Sequence, residues 1–600
     1  MFESITSFDS ITSLFQRLRE TAPQRRILTY VDDNGDDQES LTVEELGEAA
    51  DRVVMALQSW GYAPGDRVIL VYPPSLDFVK AFLGCLAAGV IPVPVYPPNP
   101  FKLRKDLATF TRIAANAGVR GALTNSVYDR SRSLADVSNF FKTNAPRWPD
   151  LRWHRTDRLR PPAQPVTWYP VRCADQPAFL QYTSGSTAAP KGVIITHGNL
   201  VHEVAGNAVD LDLGPYTRSV VWVPQYHDLG LISVILSTIA GNSLTTLMSP
   251  LTFLQAPRVW FDVMSRVRAT HTAAPNFAFE LAVRKTTAEQ RSGWDLSALR
   301  VVLSAAEPIR QSTMDAFFTA FAGTGLTPDA FFPAYGLAEH TVSVSMGGKA
   351  VLRLDKAALE SGRVRQSHDG RGAVSVVGCG RITKPGTTVR IVDPATHQSC
   401  GPDEVGEVWV DSPSKGLGYW GMDAQTRETF QARIVAEDDA REYLRTGDLG
   451  FFHDGELFIT GRCKDLIIMR GRNLYPVDIE DSVRECNPLI RPGGVAAFAA
   501  DVDGTEQLVL FVETRRDKFS PTETDEIIES VRRRVYTEYQ IRPYAIVLGH
   551  VGTVRKTTSG KIRRLACRQA FQSGEVASAA TTIRIAVRKT TNDVTTLEQS

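Results

Sequence analysis

Short apolar runs and amphipathic stretches alternate through most of the chain up to about residue 450. The β-branched run Val68–Tyr72 predicts a buried strand, and the amphipathic stretch Ser75–Ala88 that follows it predicts a helix. The same pattern predicts further strands at Val90–Tyr96, Gly121–Thr124, Ser219–Val223 and Arg300–Ser304. Such alternation favours a layered α/β structure with largely parallel sheets.

The pattern changes in the last third of the chain. From about residue 375 the apolar runs shorten and Gly, Pro and Asp turns separate them, as at Val389–Val392 and Glu407–Val410, which predicts a β-rich subdomain. After Gly461 the pattern becomes mixed α+β and more basic. Beyond about residue 573 the chain is rich in Ser, Thr and Ala without clear periodicity, so we expect it to be poorly ordered.

One uncharged window, Leu229–Met248, is long enough to cross a membrane, but its Gly, Ser, Asn and Thr residues make it weakly apolar. We interpret it as a buried helix, a Gly-Asn turn at 241–242 and a strand. The first residues form an amphipathic pattern with charges at Glu3, Asp9 and Arg17, and they lack the apolar core of a signal peptide.

Composition narrows the class of protein. A chain of 600 residues exceeds a single hydrophobic core and predicts two or more domains. Lys and Arg together number 67, as do Asp and Glu, so no net basic field would attract nucleic acid. The seven cysteines include no C-x-x-C pair, which argues against a disulfide framework or a zinc site and fits a reducing cytoplasm.

The stretch Tyr182–Gly192 carries the strongest chemical signal. Its small hydroxyl and glycine residues can cradle phosphate oxygens with backbone N–H groups, and a lysine adds a positive charge. These phosphate-binding candidates are Thr183, Ser184, Gly185, Ser186, Thr187 and Lys191. Strands are predicted on both sides, at Ala178–Tyr182 and Val193–Thr196, so the arrangement differs from a Walker loop, in which a helix follows directly. The alternative is a Ser/Gly surface turn, which the tight apolar flanks disfavour.

Four further segments carry groups that suit a nucleotide. Tyr335 and Glu339 in Ala334–Glu339 could stack on a base and hold Mg²⁺ on phosphates. Asp448 follows a turn and could accept hydrogen bonds from a vicinal diol, and Gly461–Pro476 is a charged hinge before a strand. Lys561 ends Thr557–Lys561 on a glycine turn. Each segment alone could be a helix cap, a turn or a solvated loop. The specific signal is that all four follow the Tyr182–Gly192 stretch in this order.

With these segments in this order, residues 10–572 resemble the adenylate-forming superfamily of acyl-CoA synthetases, adenylation domains and luciferases. Four strings are more similar to fatty acyl-AMP ligases: Pro92–Pro98, Trp222–Leu231, Ala274–Glu280 and Arg470–Glu480. The connection over about 346–373 falls where those ligases carry an insertion that acyl-CoA synthetases lack. The resemblance implies an α/β fold, with a large N-terminal domain of layered α/β subdomains and a β-rich subdomain over 1–461. A small mobile α+β domain over 462–572 and a flexible tail over 573–600 would follow.

The resemblance also implies a reaction. A fatty acid carboxylate attacks the α-phosphorus of ATP, pyrophosphate leaves, and a thiol then takes the acyl group. The loop would hold the β- and γ-phosphates, Glu339 would position Mg²⁺, and Lys561 would bridge the carboxylate and the α-phosphate or ribose. Lys464 matches the hinge about which the small domain would swing, although it could be an ordinary exposed lysine. The adenine and ribose contacts implied are Ala305, Ala306, Glu307, Tyr335, Gly336, Asp448 and Arg462.

The acyl side is less defined by the sequence. Ile232, Leu236, Phe277 and Phe279 are candidates for an apolar pocket, with ordinary core packing as the alternative for each. His227 is a candidate catalytic residue that would gate the carboxylate side, and a buried, hydrogen-bonded histidine is its alternative. Ala188, Ser304-Ala305 and His340 depart from the residues usual in the superfamily, and none of them removes a group that adenylation needs.

Three functions remain open at this point. The first is a fatty acyl-AMP ligase that loads the phosphopantetheine thiol of an acyl carrier protein; the chain has no carrier-type Asp-Ser-Leu string, so a carrier would act in trans. The second is an acyl-CoA synthetase. The third is a non-catalytic nucleotide or lipid sensor, which intact Lys561, Glu339 and Asp448 disfavour.

Overall fold

The computed structural model describes residues 1–101, 103–140, 147–183, 190–367, 372–437, 440–469, 472–502, 505–516, 520–557, 560–575, 584–588 and 594–597. The α-helices are α1 Phe2–Thr6, α2 Ile11–Thr21, α3 Val43–Ser59, α4 Leu76–Ala87, α5 Leu103–Ala117, α6 Ser126–Phe140, α7 His197–Asp210, α8 Ser237–Ala240, α9 Pro250–Gln255, α10 Arg258–Val267, α11 Asn276–Lys285, α12 Ala288–Ser292, α13 Gln311–Phe321, α14 Lys356–Glu360, α15 Asp423–Phe430, α16 Pro476–Glu485, α17 Pro521–Tyr539 and α18 Arg564–Gln572. A π-helix spans Leu229–Leu236, and 3₁₀ turns lie at Ala322–Thr324, Pro328–Ala330 and Ala338–His340.

The strands are β1 Arg26–Val31, β2 Asp37–Thr42, β3 Arg67–Leu70, β4 Ile91–Pro94, β5 Gly121–Thr124, β6 Arg152–Arg155, β7 Pro177–Thr183, β8 Lys191–Thr196, β9 Arg218–Val221, β10 Leu244–Leu247, β11 His271–Ala274, β12 Val301–Ser304, β13 Phe331–Tyr335, β14 Ser345–Met346, β15 Val351–Asp355, β16 Ala373–Val377, β17 Thr388–Val392, β18 Gly406–Asp411, β19 Gly418–Tyr419, β20 Leu444–His453, β21 Glu456–Arg462, β22 Ile467–Met469, β23 Arg472–Leu474, β24 Ile490–Val502, β25 Thr505–Thr514, β26 Ala545–Gly549, β27 Arg584–Arg588 and β28 Val594–Leu597.

Two largely parallel sheets form the layered part of the fold, as predicted. One has the strand order β14-β13-β12-β11-β9-β10-β1-β2, and the other the order β4-β3-β5-β6. Neighbours from β1 to β13 run parallel except for the β1–β2 pair, and β4, β3, β5 and β6 are parallel throughout. Because the carboxyl ends of parallel strands face one edge, the segments after β12 and β13 can meet there.

The window Leu229–Met248 folds as a buried helix, a turn and strand β10, which confirms the interpretation from sequence. Its first half is a π-helix in which every residue from Leu229 to Leu236 is buried. The Ser237 hydroxyl donates to the carbonyl of Ile232 over 2.9 Å, five residues back, as the wider turn requires. No helix in the described ranges combines the length and the apolar content of a membrane span.

The β-rich subdomain is also confirmed: β17, β18, β20 and β21 form an antiparallel sheet. The segment over 346–373 contributes β15, which pairs with β16, and helix α14. Its buried residues Leu352, Leu354 and Leu359 cluster with Phe451 and Phe458 of the subdomain. The described part of the connection therefore packs on the subdomain as strand β15 and helix α14.

The small C-terminal unit is a sheet of order β24-β25-β26-β27-β28 with helices α16, α17 and α18. The structure places two short strands in the tail, because β27 pairs with β26 and β28 pairs with β27. The poor order expected for residues 573–600 stays a prediction. The alternation Arg584-Ile-Ala-Val-Arg588 is a short strand signal within a Ser/Thr-rich context, and β26 offers an edge on which it can pair.

Candidate active site

The predicted phosphate loop lies between two antiparallel strands, β7 and β8, in which Thr183 faces Lys191. Helix α7 begins only at His197, after β8, so the strands predicted on both sides of the small-residue segment are confirmed. Ser184, Gly185, Ser186 and Thr187 fall outside the described residues. The Lys191 ammonium lies 4.5 Å from the centre of the Tyr419 ring. Burial, followed by the charge of Lys464, lowers the pKa of Lys191.

Glu339 is linked to Lys191 by Tyr419, which contacts both residues. The Tyr419 hydroxyl donates to Glu339 Oε1 over 2.9 Å, so the second carboxylate oxygen stays outside this hydrogen bond. Within the described residues there is no group of three or more His, Cys, Asp or Glu side chains that could cage a metal. Mg²⁺ commonly takes only one or two protein carboxylates together with phosphate oxygens, and Glu339 fits that donor set.

A tight backbone turn follows Glu339. Thr341 has φ 62° and ψ −63°, and the Val342 amide donates to the His340 carbonyl over 2.6 Å, which is the geometry of a rare, strained γ-turn. The Thr341 hydroxyl donates to the Ser414 carbonyl over 2.6 Å and holds the turn in place. Strain of this kind is maintained by its surroundings and clusters at functional sites.

Gly336 makes that turn possible. A Cβ at this position would lie 1.7 Å from the Val342 carbonyl oxygen, which is backbone and cannot rotate away. We expect Gly336→Ala to displace the Tyr335–Glu339 segment and to weaken ATP binding at least tenfold. Isothermal titration with ATP measures this. Gly323→Ala is the control, because a Cβ at Gly323 meets nothing within 4 Å; equal ATP affinity for the two variants would contradict the prediction.

Asp448 brings two predicted nucleotide contacts together. The Tyr335 hydroxyl donates to Asp448 Oδ2 over 2.7 Å, and Arg462 Nε donates to Asp448 Oδ1 over 3.0 Å. The carboxylate is therefore oriented from both sides. Stacking of Tyr335 on adenine remains a prediction; the ring itself packs in a buried cluster with Val344 and Val408.

The turn predicted to edge the base is strained as well. Ala306 has a left-handed backbone with φ 74°, which is unfavourable for any residue with a Cβ. Glu307 Oε1 accepts a hydrogen bond of 2.5 Å from the amide of Phe277 and so ties this turn to the start of α11. Burial raises the pKa of Glu307.

Lys561 of the small unit reaches this same site. Its backbone closes a turn in which the Lys561 amide donates to Thr557 Oγ1 over 3.0 Å and the Thr557 amide donates to the Lys561 carbonyl over 2.8 Å. Burial lowers the pKa of Lys561, and the nearby charges of Asp228, Arg462, Glu307 and Asp448 act on it in that order. The structure thus brings the lysine that lies far along the chain to the predicted ribose and adenine contacts.

Two residues of the site were missed by the sequence reasoning. Asp228 accepts a hydrogen bond of 2.7 Å from the Leu229 amide, and its carboxylate lies 3.8 Å from His227 Nδ1. Burial favours its neutral form, but His227 and Lys561 outweigh burial and lower the pKa of Asp228. Tyr419, which holds Glu339, is the second. Asp228 stood inside the string Trp222–Leu231, which was the available signal; a lone tyrosine gave none.

The predicted acyl-pocket residues separate into different environments. Ile232 and Leu236 are fully buried on the π-helix. Phe279 packs 5.0 Å from Phe317 in an aromatic cluster, which fits the core-packing alternative. Phe277 is half-buried, and a Cβ on Gly560 would lie 3.7 Å from its ring, so it faces the Lys561 turn.

His227, His340 and Lys464 differ in exposure. The His227 side chain is 27% exposed, so it is accessible beside Asp228 rather than sealed in the core. His340 is completely buried, and burial lowers its pKa to about 3, so the ring is neutral. Lys464 is exposed in a turn in which the amides of Asp465 and Leu466 both donate to the Arg462 carbonyl over 3.1 Å. Its role as a hinge remains a prediction.

Comparison with known proteins places this site in a family. The AMP-binding enzyme family matches residues 15–420, and the AMP domain of the Disco-interacting protein 2-like family matches residues 464–581. The medium-chain fatty acid–acyl-carrier-protein ligase JamA of Moorena producens is 38% identical over 94% of this chain and 96% of its own. The long-chain fatty acid–AMP ligase FadD26 of Mycobacterium bovis is 35% identical over 94% and 97%.

A solved structure agrees in fold over nearly the whole length. The fatty acyl-adenylate ligase of Legionella pneumophila, in complex with acyl adenylate and pyrophosphate, is 33% identical, has a TM-score of 0.72, and covers 95% of this chain and 97% of its own. The match to the AMP-binding enzymes over residues 15–420 and the identity to these ligases together show the family. The chain belongs to the adenylate-forming AMP-binding enzymes, among the fatty acyl-AMP ligases.

Proposed function

We propose that this protein uses ATP to convert a fatty acid to its acyl-adenylate, releases pyrophosphate, and passes the acyl group to the phosphopantetheine thiol of an acyl carrier protein that acts in trans. The observation that carries the proposal is the position of Lys561, which is half-buried next to a glycine that faces Phe277 and lies within the electrostatic reach of Asp228, Arg462, Glu307 and Asp448. The similarity to JamA, whose name records a carrier-protein ligase, supports the acceptor. All seven cysteines are free, in keeping with a reducing cytoplasm.

The geometry suits a reaction between two anions. A carboxylate approaching a polyphosphate is repelled, so catalysis depends on fixed cations and on positioning. Lys561 would neutralise the approaching carboxylate and the α-phosphate oxygens, and Asp448, held by Tyr335 and Arg462, would fix the ribose. Lys191 would retain the terminal phosphates, at the end of the β7–β8 hairpin.

Glu339 is the proposed Mg²⁺ ligand. The Tyr419 hydroxyl orients its carboxylate through a hydrogen bond, and the strained turn at Thr341 fixes the backbone that follows it. The ion would supply charge that offsets the phosphates.

The competing acceptor is CoA, and a thioester assay separates the two. Purified protein, ATP and a fatty acid series are incubated either with CoA or with a holo-carrier protein, and the products are separated by mass. We expect acyl-carrier thioester to form at least tenfold faster than acyl-CoA. Efficient acyl-CoA formation would replace the proposed acceptor by CoA without affecting the adenylation step.

The segment over 346–373 contacts the small unit, and these contacts offer a reason why CoA would be a poor acyl acceptor. Arg472 Nη2 lies 2.6 Å from Glu360 Oε2, and the Lys356 ammonium lies 3.6 Å from the centre of the Tyr539 ring. These contacts restrain the small unit, whose swing would admit a pantetheine arm.

We expect the double variant Lys356→Ala/Glu360→Gln to raise acyl-CoA formation several-fold. It leaves the buried leucines of the hairpin intact and is therefore cleaner than deletion of the segment. Arg353→Ala, an exposed charge on the same hairpin, is the matched control. Unchanged CoA use in a variant that still forms acyl-adenylate would count against the restraint.

A further inference from the structure

Two ion pairs join the small unit to the large one at the edge of the active site. Arg310 Nε lies 2.6 Å from Asp481 Oδ2, and each side chain is 26% exposed. Arg484 Nη1 donates to Glu280 Oε2 over 3.2 Å, with exposures of 18% and 29%. Asp481 and Arg484 are one turn apart on α16, so both pairs hold the same helix.

The partners in the large unit belong to the substrate site. Arg310 lies three residues after Glu307 of the turn that is predicted to edge the base, and its amide donates to Asn276 Oδ1 over 3.0 Å. Glu280 lies one turn after Phe277 on α11, and the Phe277 amide donates to Glu307. The base turn and the start of α11 are thus one hydrogen-bonded unit to which α16 is attached.

Helix α16 is also connected to the turn that carries Lys561. Arg564, three residues after Lys561, donates from Nη2 to Glu480 Oε2 over 2.7 Å and from Nη1 to Asp465 Oδ2 over 2.9 Å. The Glu480 carboxylate in addition accepts from the Ala497 amide of β24 over 3.0 Å. A shift of α16 would therefore move Lys561 with it.

We propose that Arg310–Asp481 and Glu280–Arg484 form a latch that positions Lys561 for the adenylation step and must open before thioester formation. The latch residues are positioning residues, since they act through α16 rather than on the reacting atoms. The proposal rests on the role of Lys561 proposed above. It differs from the contacts of the 346–373 segment because its partners are the base turn and α11, so substrate occupancy and closure are coupled through it.

Half-buried charge pairs across an interface are strong enough to set such an equilibrium, while exposed pairs are not. Loss of one pair leaves its partner charge at a partly desolvated interface, which favours separation of the two surfaces. Charge reversal adds repulsion: Asp481→Arg places two cations face to face at Arg310. The effect should therefore appear in closure and leave the fold of each unit unchanged.

The test uses charge reversal and charge exchange in the full-length protein. Asp481→Arg and Arg484→Glu alter the small unit only, away from the nucleotide contacts, and are expected to slow ATP–pyrophosphate exchange at least tenfold. Transfer of the acyl group from supplied acyl-adenylate to a holo-carrier protein should stay within threefold of wild type or rise. In two double variants the charges of a pair are swapped: Arg310→Asp/Asp481→Arg and Glu280→Arg/Arg484→Glu. Their rates of ATP–pyrophosphate exchange should return to within about threefold of the wild-type rate.

A second readout does not depend on catalysis. Hydrogen–deuterium exchange at the amides of α16 and α11 should be faster in the single variants, because closure protects both helices. It should return to the wild-type rate in the charge-swapped double variants. Arg268→Glu is the matched control, since Arg268 Nη1 lies 2.7 Å from Asp295 Oδ2 in an exposed pair within the large unit.

The outcomes separate the latch from the function on which it rests. The latch would be overturned if Asp481→Arg kept the wild-type amide protection and the wild-type rate of adenylation. It would also be overturned if neither charge-swapped double variant regained adenylation activity. Equal slowing of both half-reactions would also overturn it, because this would indicate general damage. Wild-type protein without pyrophosphate exchange would instead defeat the proposed function, and amide protection would still decide whether the latch exists.

Discussion

Replacing Lys561 by alanine is expected to lower the rate of acyl-adenylate formation by a factor of about a hundred to a thousand. This is the range seen when one preorganised hydrogen-bond donor that stabilises transition-state charge is removed. Lys561 is a cation of the small unit, and the charges of Asp228, Glu307 and Asp448 act on it. Without it, the repulsion between a carboxylate and the α-phosphate is no longer offset. Lys561→Arg should recover little, because a planar guanidinium cannot replace a compact ammonium in a crowded turn.

Pyrophosphate release with ATP and a fatty acid measures the effect. Transfer from supplied acyl-adenylate should remain within a few-fold of wild type in the same variant, since that step does not need Lys561. Lys285→Ala is the control, because Lys285 Nζ donates to the Leu254 carbonyl over 2.8 Å on the exposed surface. Equal background release from wild type and Lys561→Ala would exclude an adenylating enzyme and favour the nucleotide or lipid sensor.

Replacing Lys384 by methionine destabilises the large unit by about 3–5 kcal/mol, as expected when one partner of a buried ion pair is removed. Lys384 Nζ lies 2.6 Å from Glu203 Oε1, and the two side chains are 1% and 0% exposed. Burial favours a neutral Glu203, but the charge of Lys384 overcomes burial and lowers the Glu203 pKa. The lysine also donates to the Ser343 carbonyl over 2.7 Å, so the pair anchors the segment just after the strained turn.

Chemical denaturation followed by near-ultraviolet circular dichroism measures the loss of stability. Lys384→Met/Glu203→Leu should regain most of it, because both desolvated charges are then absent. Arg17→Met serves as the control: Arg17 and Glu20 are 61% and 68% exposed, and such pairs contribute little. A Lys384→Met protein with the midpoint of wild type would show that water or another group solvates Glu203.

The part of the site that lies in contiguous strings was accessible from sequence. The strand–loop–strand arrangement around Thr183 and Lys191 followed from apolar runs on each side of a small-residue loop, and short-range patterns fix such elements. The convergence of Lys561 with Asp448 and Arg462 was available only through resemblance to a family, because no local pattern brings segments so far apart in the chain together.

What could not be predicted depends on contacts between distant segments. Glu203 and Lys384 are separated by 181 residues, and each alone reads as an ordinary surface charge. Phe279 packs against Trp260 and Phe317, which come from other helices, and no local pattern around Phe279 predicts these contacts. Its place in an acyl pocket stays a prediction. Tyr419 orients Glu339 from the two-residue strand β19, too short to give a periodic signal.

The position of Lys561 between the small unit and the large one has a consequence for the lifetime of the product. A mixed anhydride of a fatty acid and a phosphate is hydrolysed readily in water, and each hydrolysis would waste one ATP. Lys561 is half-buried where the small unit meets the large one, so the closed arrangement limits the access of bulk water to the proposed site. While the small unit stays closed it therefore shields a reactive intermediate, and the timing of its opening decides whether a thiol or a water molecule arrives first.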